Sequence, residues 1–104
     1  MLTQQAAVAQ VKAFAAEVRR LNVPLRQVIL FGSYARNEQR EDSDIDVALI
    51  ADDFTGASFI DIARFAELFG RYTYIEAHTF ATSKFLHASP LAEEIRRSGI
   101  VMSE

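Results

Sequence analysis

"GSYARNEQREDSDIDVALI", residues 32–50, runs five carboxylates, Glu38, Glu41, Asp42, Asp44 and Asp46, straight into an apolar stretch. Its last part, continued to Ala51, reads as a strand over 44–51. Period-two alternation puts Asp44 and Asp46 on one face and Ile45, Val47 and Leu49 on the other. Just upstream, "RQVILFG" (26–32) is a short, β-branched, apolar run closed by glycine, which predicts a buried strand. Between the two strands, "SYARNE" predicts a short helical turn and "QREDS" a polar loop.

Further out, residues 3–22 carry Ala7, Val11, Phe14, Ala15, Val18 and Leu21 at three- and four-residue steps, an amphipathic helix. Thr3 is its expected N-cap, and Asn22 with Pro24 ends it. Downstream, Ser58–Phe69 predicts a helix with Ile62, Phe65, Ala66 and Phe69 turned inward and Gly70 at its end. "RYTYIEAHTF" (71–80) predicts a third strand, with Tyr74, Glu76 and His78 sharing one face. Thr82 caps a short helix, Pro90 opens the last one and Gly99 stops it. The order αβαβαβαα implies one α/β (α+β) domain over residues 1–104, a small mixed β-sheet flanked by helices.

Composition narrows the functional classes. The 104 residues are half hydrophobic and carry a net charge of −3, as expected of one globular domain with a modest core. The eleven Lys and Arg are scattered, which argues against direct nucleic-acid binding along a basic face. No cysteine is present, so disulfides, thiol nucleophiles and cysteine-zinc sites are excluded. The N-terminus lacks a signal-peptide pattern, and no apolar run reaches the ~18 residues that would suggest a membrane span. A cytoplasmic protein is the expectation.

The acidic strand poses a physical problem. Two carboxylates two residues apart on one strand face repel each other unless a cation stands between them. Mg²⁺ takes oxygen ligands and commonly uses one or two carboxylates plus substrate phosphates. A bare Asp-x-Asp is weakly specific, and solubilising residues at an exposed strand start are the plain alternative. The neighbouring "LFGSYAR" adds a second signal. Gly32 lets backbone approach a phosphate, the free N–H groups of the following turn form an anion site, and the Ser33 hydroxyl donates another hydrogen bond. Together, the two motifs bring phosphate donors and metal carboxylates to the same end of adjacent strands. Glu76, the sole acid in an otherwise apolar strand, offers a third carboxylate for a two-metal site and a proton acceptor for an attacking hydroxyl. Its alternative is an edge charge facing water.

The spacing Gly32-Ser33, ten residues, Asp44-Ile45-Asp46 resembles the signature of the minimal nucleotidyltransferases, within the DNA polymerase β-like nucleotidyltransferase superfamily. The closing stretch from Ile75 to Met102 is similar more loosely. The resemblance implies that Gly32 and Ser33 hold nucleotide phosphates and that Asp44 and Asp46 bind Mg²⁺, two ions in all. Glu76 stands where the family has its third carboxylate, often aspartate. Asn37 departs from a frequent glycine, and asparagine tolerates the left-handed turn such a glycine makes. Proteins of this kind resemble antitoxins paired with HEPN-type ribonuclease toxins, some of which transfer AMP from ATP onto a toxin tyrosine. A hetero-oligomer with such a toxin is therefore implied. The alternatives are an antitoxin that masks its toxin without catalysis, and a small-molecule nucleotidyltransferase. The latter usually carries an added helical domain, which this length leaves no room for.

Arg36, one helical turn from Ser33, is a candidate to neutralise phosphate charge, as is Arg40; the alternative is a solvated loop charge. His78 tunes Glu76 or serves structure, with structure favoured. His87 is expected at the surface. Tyr72, Tyr74 and Phe80 offer stacking faces for adenine, though strand aromatics more often belong to the core or an interface.

Overall fold

The computed structural model describes residues 2–85 and 89–102, so His87 lies outside the described residues. Helix α1 spans Gln4–Arg20, and the Thr3 hydroxyl accepts the Ala6 N–H as expected of its N-cap. Asn22 takes a positive φ of 66°, which ends the helix and turns the chain into β1, Leu25–Phe31. Strand β2, Ile45–Ala51, runs antiparallel to β1, with Phe31 opposite Asp46. Strand β3, Ile75–Ala81, runs parallel to β2, with Asp46 opposite Glu76.

A fourth strand closes the sheet. After α3 (Thr82–Phe85) and α4 (Pro90–Ser98), the chain returns as β4, Ile100–Met102, antiparallel to β1. The sheet order is β3-β2-β1-β4, a four-stranded mixed sheet. The sequence reading missed β4, because three residues after a helix stop carry no resolvable period.

Helices cover both faces of the sheet. On one, Phe14 of α1 meets Phe65, Phe69 and Tyr72 at ring-centroid distances of 5.4–6.1 Å, over Val28, Leu30, Val47 and Leu49. On the other, Phe85, Ala92 and Ile95 pack on Ile29, Phe31, Ala48 and Ile50. Both faces of β2 are therefore buried beyond Asp46, which explains its unbroken apolar run.

Three expectations are corrected. The single helix over 58–69 is instead a short α2, Ser58–Asp61, followed by a 3₁₀ segment, Ile62–Gly70, with a break at Phe65 (φ −141°, ψ 26°). Phe65 and Leu68 face inward at three-residue spacing, and Ala66 is exposed rather than inward. At the junction of the two pieces, Asp61 is buried and turns back to accept from Thr55 N, Thr55 Oγ1, Gly56 N and Thr79 Oγ1 at 2.6–3.0 Å. Next, the third strand starts at Ile75, not Arg71. Arg71 and Tyr72 instead bind Glu17 of α1. Last, "SYARNE" forms hydrogen-bonded turns over Ser33–Asn37 rather than a helix.

Candidate active site

The end of β1 and the starts of β2 and β3 meet at one corner of the sheet. Gly32 follows β1 with φ +75°, a left-handed conformation that glycine adopts without penalty. Space makes the same demand. A Cβ at Gly32 would stand 3.2 Å from Asp46 Cγ and 3.3 Å from Asp46 Cβ, and would overlap Asp46 Oδ2. The carboxylate therefore lies directly against the glycine that opens the turn.

Within the turn, the Ala35 and Arg36 N–H groups both donate to the Gly32 carbonyl, and Glu38 N donates to Ser33 O at 2.8 Å. The Ser33 and Tyr34 N–H groups have no partner among the described residues, which leaves two adjacent backbone donors for an anion. Asn37 takes φ 57°, so it makes the left-handed bend expected of it. Gln4 of α1 clamps the turn from behind, its Nε2 donating to Tyr34 O (2.9 Å) and Ala35 O (3.1 Å). Sequence reasoning missed Gln4, since a lone glutamine in a helix's first turn carries no signal of its own.

Asp46, Glu76 and His78 offer ligand atoms that all lie within 4.8 Å of one another. Glu76 is register partner to Asp46 and largely exposed, whereas Asp46 is about a quarter exposed. His78, two residues along β3, packs edge-on to Phe31 at 5.2 Å. Its Nε2 is buried without a hydrogen-bond partner among the described residues and stands 3.6 Å from Asp46 Oδ1 and 4.0 Å from Glu76 Oε1. Asp46 raises the imidazole pKa above its ordinary value, burial opposes this, and Glu76 adds to the rise. Two carboxylates and an orphaned buried nitrogen aimed at them suit a divalent cation by donor chemistry.

Asp44 sits exposed just before β2 and is not a member of that trio. Arg36 is half exposed and already engaged, bonded to Glu38 Oε1 at 3.0 Å and facing Glu94 of α4 at 3.8 Å. Arg40 is an exposed loop residue whose N–H caps on Ser43 Oγ. Of the aromatics, Tyr72 and Phe80 serve packing. Tyr74 is 53% exposed and lines a pocket of about 260 Å³ with Leu2, Tyr34 and Glu41.

This corner can be compared with known proteins. A family model described as "Nucleotidyltransferase domain" matches residues 11–98. The "Putative protein adenylyltransferase MJ0435" of Methanocaldococcus jannaschii is 39% identical over 54 residues, which cover 46% of this chain and 56% of that protein. The chain thus spans little more than half the length of that relative. A solved structure of a "putative nucleotidyltransferase" from Sulfolobus solfataricus superposes with a TM-score of 0.67 at 17% identity, covering 94% of this chain and 80% of the other. A second, described as a "toxin-antitoxin with AMP-PNP", gives 0.64 at 24% identity, over 86% and 70%. At those identities the two structures speak for the fold. The family match, spanning both the glycine-serine turn and the acidic strands, decides the rest: the chain belongs to the nucleotidyltransferase domain family.

Proposed function

We propose that the chain transfers AMP from ATP to a hydroxyl of a partner protein, most simply a tyrosine of a HEPN-type toxin, and so acts as an antitoxin. The observation that carries the transferase reading is the contact between the turn and the carboxylates. Gly32 is pressed against Asp46, and Asp46 is register partner to Glu76, so phosphate donors and acids share one corner. A protein acceptor is supported by the name of the M. jannaschii relative, and a toxin partner by the fold shared with a toxin–antitoxin structure.

In this reading the N–H groups of Ser33 and Tyr34, without partners among the described residues, donate to phosphate oxygens, and the Ser33 hydroxyl adds a third donor. Asp44, Asp46 and Glu76 hold divalent cations, with Mg²⁺ accompanying the nucleotide; bound there, the metals neutralise triphosphate charge. Glu76, more exposed than Asp46, faces the acceptor and takes its proton as the acceptor oxygen bonds to the α-phosphorus. The bond from that phosphorus to the β-phosphate bridging oxygen breaks, and pyrophosphate leaves. Arg36 reaches a phosphate only by leaving Glu38 and Glu94. The Glu76 side chain is 57% exposed, so a docked partner must exclude water from this corner and align its oxygen.

Intact-mass spectrometry of the chain mixed with its cognate toxin, Mg²⁺ and ATP tests this. The toxin should gain mass in AMP-sized steps and lose ribonuclease activity, and Asp44→Asn/Asp46→Asn should abolish both. A toxin silenced in a stable complex without added mass would refute transfer in favour of masking. Efficient labelling of small molecules would refute the protein acceptor.

A further inference from the structure

We propose that Asp46, Glu76 and His78 form a mixed nitrogen–oxygen site for a first-row transition-metal dication, with His78 Nε2 as a ligand. This deepens the transferase reading and rests on it for the nucleotide. The Mg²⁺ that accompanies ATP is a separate ion, and Asp46 is the carboxylate the two would share.

Distance is the first reason. His78 Nε2 lies 3.6 Å from Asp46 Oδ1 and 4.0 Å from Glu76 Oε1, too far for direct hydrogen bonds. Two donors each about 2.1 Å from one cation stand roughly 3.4 Å apart at the tetrahedral angle and about 4.2 Å apart when opposite. Both His78 separations fall inside that window; the three donor atoms together lie within 4.8 Å, so the exposed Glu76 carboxylate closes the last few tenths of an ångström onto the ion.

Burial is the second. Nε2 is shut off from solvent and has no partner among the described residues. A buried polar atom left so is costly unless something meets it. The Phe31 ring against the imidazole restricts its swing, so the nitrogen stays aimed at the two acids.

Chemistry is the third. An all-carboxylate site suits Mg²⁺, whereas an imidazole nitrogen shifts preference towards Co²⁺ and Zn²⁺. Glu76 is exposed at the lip, so an ion has a path in, and the remaining coordination positions stay open to substrate oxygens.

Co²⁺ and Mg²⁺ titrated separately into the full metal-free chain, without nucleotide, test the assignment. Calorimetry should find Co²⁺ bound at least tenfold more tightly than Mg²⁺, and His78→Gln should erase that preference while Mg²⁺ affinity changes less than threefold. Proton NMR of the Co²⁺-loaded wild type needs no variant at His78. It should reveal an exchangeable imidazole N–H resonance shifted outside the diamagnetic window, and His87→Gln should retain it. Absence of that resonance, or Co²⁺ binding unchanged in a folded His78→Gln, overturns the inference. The two proposals fail separately. Wild type that binds Mg·ATP without the shifted resonance refutes only the histidine ligand. A His78-dependent Co²⁺ site in a chain that never binds Mg·ATP refutes only the transferase.

Discussion

Replacing Gly32 with alanine tests whether turn and carboxylate are in contact, because two separable costs are built into that position. The first is conformational: holding a Cβ-bearing residue at φ +75° costs about 1–2 kcal/mol. At ~4–8 °C per kcal/mol for a domain of this size, this alone lowers the thermal midpoint by about 4–16 °C. The second is steric, since the new methyl overlaps Asp46 Oδ2 and crowds Asp46 Cγ at 3.2 Å. Overpacking of this kind adds about 1–3 kcal/mol. Asp46→Ala removes the carboxylate and with it most of the second cost, leaving only its own Cβ at 3.3 Å from the new methyl. Chemical denaturation of wild type, both single variants and the double variant therefore closes a cycle. Gly32→Ala should be at least ~1 kcal/mol less damaging in the Asp46→Ala background. The rise in midpoint that the proposed function expects of wild type with Mg·ATP should also be lost in Gly32→Ala, because the displaced acid no longer lies beside the turn. Additivity within about 0.5 kcal/mol would refute the contact. Wild-type stability in Gly32→Ala would refute the left-handed turn as well.

Other perturbations have equally definite outcomes. Asp61→Ala strips four donors of their acceptor, of which Thr79 Oγ1 is buried and the Thr55 and Gly56 groups are partly so, and should cost about 1–3 kcal/mol by denaturant titration. Burial raises the Asp61 pKa, but the hydrogen bonds from Thr79, Thr55 and Gly56 outweigh it and hold the carboxyl below its ordinary 3.8. Its stabilisation is present above that value and lost as pH falls below it, so Asp61→Asn should flatten this part of the acid limb. Glu17 is held at about 2, against an ordinary 4.5, chiefly by hydrogen bonds from Arg71 and then Tyr72. That contribution is complete above pH 4.5 and declines as pH falls towards about 2. Thermal midpoints of Glu17→Gln should thus depend less steeply on pH across that window, and an unchanged slope would refute the link.

The core of the fold was legible in the sequence wherever two periods disagreed. Three-and-four spacing in α1 and the twofold alternation of Ile45 to Leu49 each leave one reading, and both elements fall within two residues of their expected bounds, Asp44 being left just outside the strand. Elements set by tertiary contacts were not legible. Asp61, just ahead of the break at Phe65, reaches back to Thr55 and Thr79, and helical period alone cannot register a buried acid with four donors. Strand β4 owes its existence to the open edge of β1. In the candidate site, Gly32, Asp46 and Glu76 converge as their spacing suggested. The expectation for His78 leaned towards structure, because a histidine two residues from an acid says nothing about which side chains await it across the sheet. The place of Asp44 outside the trio reflects its position before the strand begins, where alternation no longer governs direction.

The seat of β4 also bears on how the chain emerges from a ribosome. Val28, Ile29 and Leu30 pair with residues 100–102, so one edge of β1 has no partner until those residues are made. At about 5–20 residues per second, synthesis from Phe31 to Met102 takes on the order of 4 to 14 seconds. During that interval an apolar strand with unpaired N–H and C=O groups is available to any neighbouring chain. The glycine turn that meets Asp46 lies at the end of that same strand, so the edge beside it stays open while the residues of the turn and its acids are already made.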